Sequence, residues 1–348
     1  MHQRIKRLAI SLSGLFLALS FLTQHSLIAQ DSDPQGPQAQ YRLLTEMPCE
    51  VSGLTFSSNG SRLSFSCDGN VYWMGLSDTS AKQVTDADVI EHNPAWSPDG
   101  TKIAYQRDSS GISSIWVYST ISQVHTRVNK IKENCFDPSW APNGRAVAFS
   151  TDTYGSVDVM IKDFDYNKER RLTAAKGDEY IFGFHPSGKF VGYYERGTEE
   201  EDLYAVSLTG KEALPLTRST ALEVFPKWSY DGSKVLFLIG EGDVKSIYTA
   251  DFPYGELSKM GSHRFKVNPI ISANGKRVIY QDEKDDVVDL HIYTLDRKES
   301  LPLGVTEMGD VFQMSWSIGG RIVAAATSES QNQSKLWLVN ISQFVKGR

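Results

Sequence analysis

Seven glycines, Gly60, Gly100, Gly144, Gly188, Gly232, Gly275 and Gly320, follow one another at intervals of 40, 44, 44, 44, 43 and 45 residues. A large apolar residue stands four positions before each, at Phe56, Trp96, Trp140, Phe184, Trp228, Ile271 and Trp316. Another apolar residue follows three positions after each, at Leu63, Ile103, Val147, Val191, Val235, Val278 and Val323. A unit of about 40 to 50 residues cannot bury its apolar face alone, so neighbouring units must stack to make a core. This constraint outweighs every other feature of the chain.

The second repeat shows what the unit is. Pro94-Ala95-Trp96 ends an apolar strand, and Ser97-Pro98-Asp99-Gly100 is a hairpin turn in which Pro sets φ and Gly takes φ > 0. Ile103-Ala104-Tyr105, Ser114-Ile115-Trp116-Val117-Tyr118 and Thr126-Arg127-Val128 then read as three more strands with period-two alternation. Four antiparallel strands per repeat, seven times over, define an all-β chain: a seven-bladed β-propeller. A further slot marks the outer strand of each blade, at Thr45, Thr85, Asn129, Thr173, Thr217, Gly261 and Thr306. Its first member precedes the first complete repeat, and the seventh repeat stops after Lys335-Leu336-Trp337-Leu338-Val339. The N-terminal strand Tyr41–Thr45 is therefore expected to complete the last blade, which removes an exposed sheet edge.

Arg4, Lys6 and Arg7 precede an apolar run from Leu8 to Leu22, and a polar stretch follows Ala29. That layout predicts a secretory signal peptide over residues 1–29, a linker over 30–40 and a single propeller over 41–345. Removing the leader takes three of 36 basic residues and none of 42 acidic ones, leaving a net charge of −9. Such a balance disfavours nucleic acid and anionic membranes as partners. The three cysteines, Cys49, Cys67 and Cys135, are too few for a disulfide scaffold. Cys49 falls one residue off hairpin register with Cys67, which allows a bridge between them with some strain.

The segment Pro94-Ala95-Trp96-Ser97-Pro98-Asp99-Gly100 recurs as Pro138-Ser139-Trp140-Ala141-Pro142-Asn143-Gly144 and Pro226-Lys227-Trp228-Ser229-Tyr230-Asp231-Gly232. This motif resembles the TolB-type propeller repeat, over Tyr41 to about Ile341. The resemblance is to the repeat family and not to TolB proper, which carries an α/β domain before a six-bladed propeller. Related repeats occur beside the hydrolase domains of some proteases, and no Gly-x-Ser-x-Gly elbow stands in this sequence. They occur also in oligogalacturonate lyases, which the resemblance associates with a metal held by clustered histidines. Here His92, His125, His185, His263 and His291 fall on different parts of the blades, so no metal site is expected.

Two sets of residues are candidates for binding. Those leading into the inner strands, Glu50, Glu91, Asn134, Glu179, Glu223, Lys266 and Asp310, are expected around one mouth of the channel, with His92 turned towards it and Glu91 away. The loops between second and third strands open on the same face and are acidic, with Glu199, Glu200 and Glu201 in one and Asp285 and Asp286 in another. A negative face suits a protein or peptide with a basic surface, and leaves room for calcium but calls for no other cofactor. The expected function is an exported, monomeric scaffold or recognition module of a bacterial envelope. The alternative is a carbohydrate-active hydrolase or lyase using carboxylates at the channel mouth.

Overall fold

The computed structural model describes residues 37–345 apart from 87, 131–132, 198–201, 219–221, 241–243, 254–256, 265–267, 273, 285–286 and 331. The expected leader, residues 1–29, thus lies outside the described residues. Seven four-stranded antiparallel sheets form the blades. Their inner strands are Ser52–Phe56, Ile90–Trp96, Cys135–Trp140, Asp178–Phe184, Glu223–Trp228, Ile270–Ile271 and Val311–Trp316, in blades 1 to 7. A four-residue helix, Ser342–Val345, follows the last strand.

The last blade closes as its truncated repeat requires. Gln40–Met47 pairs antiparallel with Gln333–Asn340, so strands from both ends of the described chain share one sheet. Just beyond this strand, Cys49 is bonded to Cys67 of blade 1, with Cα atoms 5.6 Å apart. The bridge ties the closing strand of blade 7 to the second strand of blade 1.

The core is divided among the interfaces between blades. Val71 of blade 1 packs with Trp96, Ile103 and Tyr105 of blade 2, and six further clusters fill the other interfaces, including the closure between blades 7 and 1. The repeated tryptophan serves this packing and fixes its register, since Trp140 Nε1 donates to Ala95 O at 3.0 Å and Trp228 Nε1 to Gly183 O at 3.2 Å, each across to the preceding blade.

The hydrogen-bonding slots of the repeat also have physical causes. In the turn of blade 2, Ser97 Oγ donates to Asp99 Oδ1 at 2.5 Å, Thr101 N donates to the same oxygen, and Lys102 N donates to Ser97 Oγ. Burial works to raise the Asp99 carboxyl, but the donors from Ser97 and Thr101 outweigh it and hold it down. Gly100, at φ +68°, closes this turn. The outer slot caps the third strand: Thr85, Asn129, Thr173 and Thr217 accept the amides of Val71, Ile115, Val159 and Leu203, each at 2.9 Å.

His185 stands where five of the other six turns have serine and that of blade 3 has Ala141. Its Nδ1 accepts from Ser187 N at 3.1 Å and its Nε2 lies 3.0 Å from Gly232 O, which requires the proton on Nε2. Phe190, Trp228 and Phe252 surround the ring, and burial holds its pKa below the ordinary value. His185 is thus a neutral strut between blades 4 and 5.

Candidate functional site at the channel mouth

The inner strands do not run straight. Pairing slips between residues 52 and 55, 92 and 95, 136 and 139, and 224 and 227, so four blades carry a bulge at the same repeat position. Its residue is Gly53, Asn93, Asp137 or Phe225, each with positive φ. Asn and Asp tolerate this region, whereas a bulky Phe there is an outlier. All four line a channel of about 1150 Å³ bounded by the seven inner strands.

Asp137 and Lys227 bring opposite charges into this channel from blades 3 and 5. Asn93 Nδ2 donates to Asp137 Oδ1 at 3.1 Å. Burial raises the Asp137 carboxyl, opposed by the nearby His92 and Lys227 and by the Asn93 bond. Lys227 is open to channel solvent yet walled by protein, and this enclosure pushes its ammonium down against the pull of Asp137. Channel water tempers that push.

Beside Asp137 the mouth is aromatic. Phe136 stacks on Tyr180 with centroids 6.1 Å apart, Tyr180 stacks on Tyr194 at 5.4 Å, and the Arg196 guanidinium lies 4.7 Å from the Tyr194 ring. Arg196 Nη2 also donates to Glu223 O at 2.7 Å, which ties this row to blade 5. Burial raises both tyrosine hydroxyls, and the charge of Asp137 adds to it. On blade 2, His92 Nε2 lies 2.9 Å from Asp108 Oδ2. Burial works to raise Asp108, but donors from Ser113, Gln106 and His92 outweigh it and lower its pKa.

The residues leading into the inner strands separate into two sets. Glu50 and Asp310 are exposed and His92 is partly exposed, and none of the three is among the residues that line the channel. Glu91, Glu179 and Glu223 depart from the expected rim: all are at most 1% exposed and none lines the channel. They stand one register position later than Glu50 and Asp310, which turns them between blades. Glu91 pairs with Arg107 at 2.5 Å, and Arg107 lies over the Trp116 ring at 4.2 Å. Glu223 accepts from Thr217 Oγ1 at 2.5 Å. Burial pushes the Glu179 carboxyl up to about 7, with Thr173 and the Ala175 amide opposing and the charges of Asp158 and Glu195 adding to the rise. Lys266, Glu199, Glu200, Glu201, Asp285 and Asp286 lie outside the described residues.

Sequence reasoning passed over Asp137, Tyr180, Tyr194, Phe225 and Lys227. One signal was present for Lys227: five residues before the repeat glycine the other blades have Thr55, Ala95, Ser139, Gly183, Ile270 and Ser315, none of them charged. Among the described residues, the one close grouping of three potential metal-ligating side chains is Cys49, Cys67 and Asp68, whose two sulfurs are already bonded to each other.

Fold and site together define a seven-bladed propeller with a charged channel and an aromatic row on one side of its mouth. Residues 38–216 match the model of the TolB beta propeller domain, and the chain belongs to that family. Among solved structures it is similar to a putative TolB from Agrobacterium tumefaciens, with 21% identity, a TM-score of 0.55 and coverage of 63% of this chain and 83% of that one. TolB from Acinetobacter baumannii gives 18% identity, a TM-score of 0.53 and coverage of 72% and 62%. An oligogalacturonate lyase from Vibrio parahaemolyticus gives 11% identity, a TM-score of 0.66 and coverage of 89% and 98%. At such identities the likeness is one of fold. No curated protein sequence matches the chain.

Proposed function

We propose that this propeller is an exported, non-enzymatic recognition and scaffold module of a bacterial cell envelope, in the periplasm or outside it. It takes a protein or peptide with a basic surface on the channel mouth. The observation that carries this reading is the row Phe136, Tyr180 and Tyr194, capped by Arg196 and set beside the channel on a closed ring. Aromatic rings and arginine supply much of the energy at protein interfaces, and a rigid ring presents them without an ordering cost. The acidic balance of the chain after Ala29 favours a basic partner, and the Cys49–Cys67 bridge suits an oxidising compartment. No helix among the described residues is long and apolar enough to cross a membrane.

The carbohydrate-acting alternative draws on the lyase likeness, which is one of fold. Of the carboxylates that would serve it, Glu91, Glu179 and Glu223 are buried between blades, and Glu50 and Asp310 are exposed. Calcium on the acidic loops is a further part of the proposal; on this reading, chelator lowers the melting temperature and added calcium restores it.

The test is affinity capture on the protein beginning at Asp31, with envelope extract, beside two variants. One is Tyr180→Ala/Tyr194→Ala; the other neutralises Glu199, Glu200, Glu201, Asp285 and Asp286. A partner retained by the parent protein, rebinding in purified form and lost from either variant supports recognition at this face. Equal retention by all three, or none by any, refutes it and turns attention to carbohydrate substrates.

A further inference from the structure

We propose that the blade 5 wall of the channel is a binding site for small organic carboxylates, with Lys227 receiving the carboxylate and Phe225 facing the body of the ligand. This does not depend on the macromolecular recognition proposed above, because a small molecule within the channel and a partner on its rim are separable.

The repeat provides the first argument. In blades 3 and 7 the slot that Lys227 occupies holds serine, and each hydroxyl accepts an amide from the inner strand of the next blade, Phe184 N to Ser139 Oγ at 3.2 Å and Phe56 N to Ser315 Oγ at 3.3 Å. An ammonium has no lone pair with which to accept such a bond. Lys227 therefore cannot make the bond to the next blade that Ser139 and Ser315 make. It instead places a cation in the channel, where it meets no carboxylate in an ion pair among the described residues.

Phe225 gives a second, independent argument. It lies two residues before Lys227, holds φ +55° and leaves 48% of its surface exposed while lining the same channel. Backbone strain and an uncovered ring are two unfavourable features at one residue, and an apolar ligand surface laid against the ring offsets the second. The adjacent position of blade 4 is Gly183, where an added Cβ would meet only Ser139 Oγ, at 3.7 Å, so the wall beside Lys227 is open. The channel volume of about 1150 Å³ exceeds what a small ligand needs. The charged and titratable groups facing Lys227 are Asp137 and, beyond it, His92. A ligand that is anionic at one end and flat or apolar at the other complements this wall.

The experiment uses the protein beginning at Asp31 and two matched pairs of probes in calorimetric titrations: N-acetyl-phenylalanine with its amide, and glucuronate with glucose. The first pair represents a peptide end and the second a sugar acid. The expected result is that the carboxylate of at least one pair binds at least tenfold tighter than its neutral partner. Lys227→Met abolishes that preference, and Lys227→Arg retains it. Equal binding within both pairs, no binding by any probe, or a preference that survives Lys227→Met overturns the proposal. A second measurement needs no variant: acetylation of Lys227, followed by peptide mass mapping, slows several-fold with the preferred carboxylate bound and not with its neutral partner. An unchanged rate likewise overturns it.

Discussion

Breaking the Cys49–Cys67 bond should cost about 3 kcal/mol, because the bond closes a loop of 18 residues and the lost loop-closure entropy of the unfolded chain at that length amounts to this much. With an unfolding entropy of roughly 2 cal/mol/K per residue over about 300 residues of propeller, the melting temperature falls by about 5 °C. Both sulfurs are buried, so reduction must be done in mild denaturant and followed by refolding, with the Cys49→Ala/Cys67→Ala variant as a parallel sample. Thiol counting provides the internal control. Cys135 is buried and its thiol is pushed up to about 12, so the native oxidised protein labels slowly at any site, the unfolded oxidised protein labels once, and the unfolded reduced protein labels three times. The assay is urea denaturation of the oxidised and reduced forms, read by tryptophan fluorescence. Equal midpoints and slopes for two forms shown to differ in thiol count would refute the assignment of the bridge as a clasp on ring closure.

Gly232→Ala should destabilise by about 2 kcal/mol or more in urea denaturation, since the residue sits at φ +71° and a Cβ would come within 2.5 Å of His185 Nε2. Trp140→Phe should cost about 1 kcal/mol for the lost donor to Ala95 O, beyond any packing loss, and leave the fold intact by circular dichroism. Glu179 carries a pH prediction. Burial raises its folded pKa to about 7 from 4.5, so the folded protein retains a proton that the unfolded chain releases. Stability is full below pH 4.5 and falls as pH rises through 7, by about 3 kcal/mol in total. Glu179→Gln should flatten that fall, and a variant with the parent slope would refute the burial argument.

The architecture was legible because it rests on features that survive in one dimension. Glycine at a fixed turn, a large ring four residues earlier and an alternating strand afterwards are local requirements repeated seven times. Even the closing strand could be read, because a truncated seventh repeat and an extra outer-strand slot at Thr45 imply each other. The site was less legible for a specific reason. The inner-strand bulge inserts a residue, and a shift of one position exchanges the two faces of a strand. Glu91, Glu179 and Glu223 were grouped with Glu50 and Asp310, yet the first three lie between blades while the other two are exposed. The aromatic row is a contact across strands and blades, Phe136 to Tyr180 to Tyr194, and no spacing along the chain reveals it.

What distinguishes this ring from a generic one lies where a blade departs from the repeat. Glu91 held by Arg107, Asp158 by Arg171 at 2.7 Å and Glu223 by Thr217 show carboxylates used as connectors within and between blades. Such groups, once paired and buried, have no freedom to meet a ligand, and removing one partner leaves the other stranded at a cost of several kcal/mol. The charges left to the channel are then few and local: Asp137 fixed by Asn93, and Lys227 without a fixed partner. Asp137 is anchored across two blades, whereas Lys227 stands on a flexible four-carbon stem in a slot that other blades fill with uncharged residues. A long stem and a cation that makes no ion pair among the described residues meet at one position, and that makes blade 5 the part of the ring where a carboxylate ligand has most to gain.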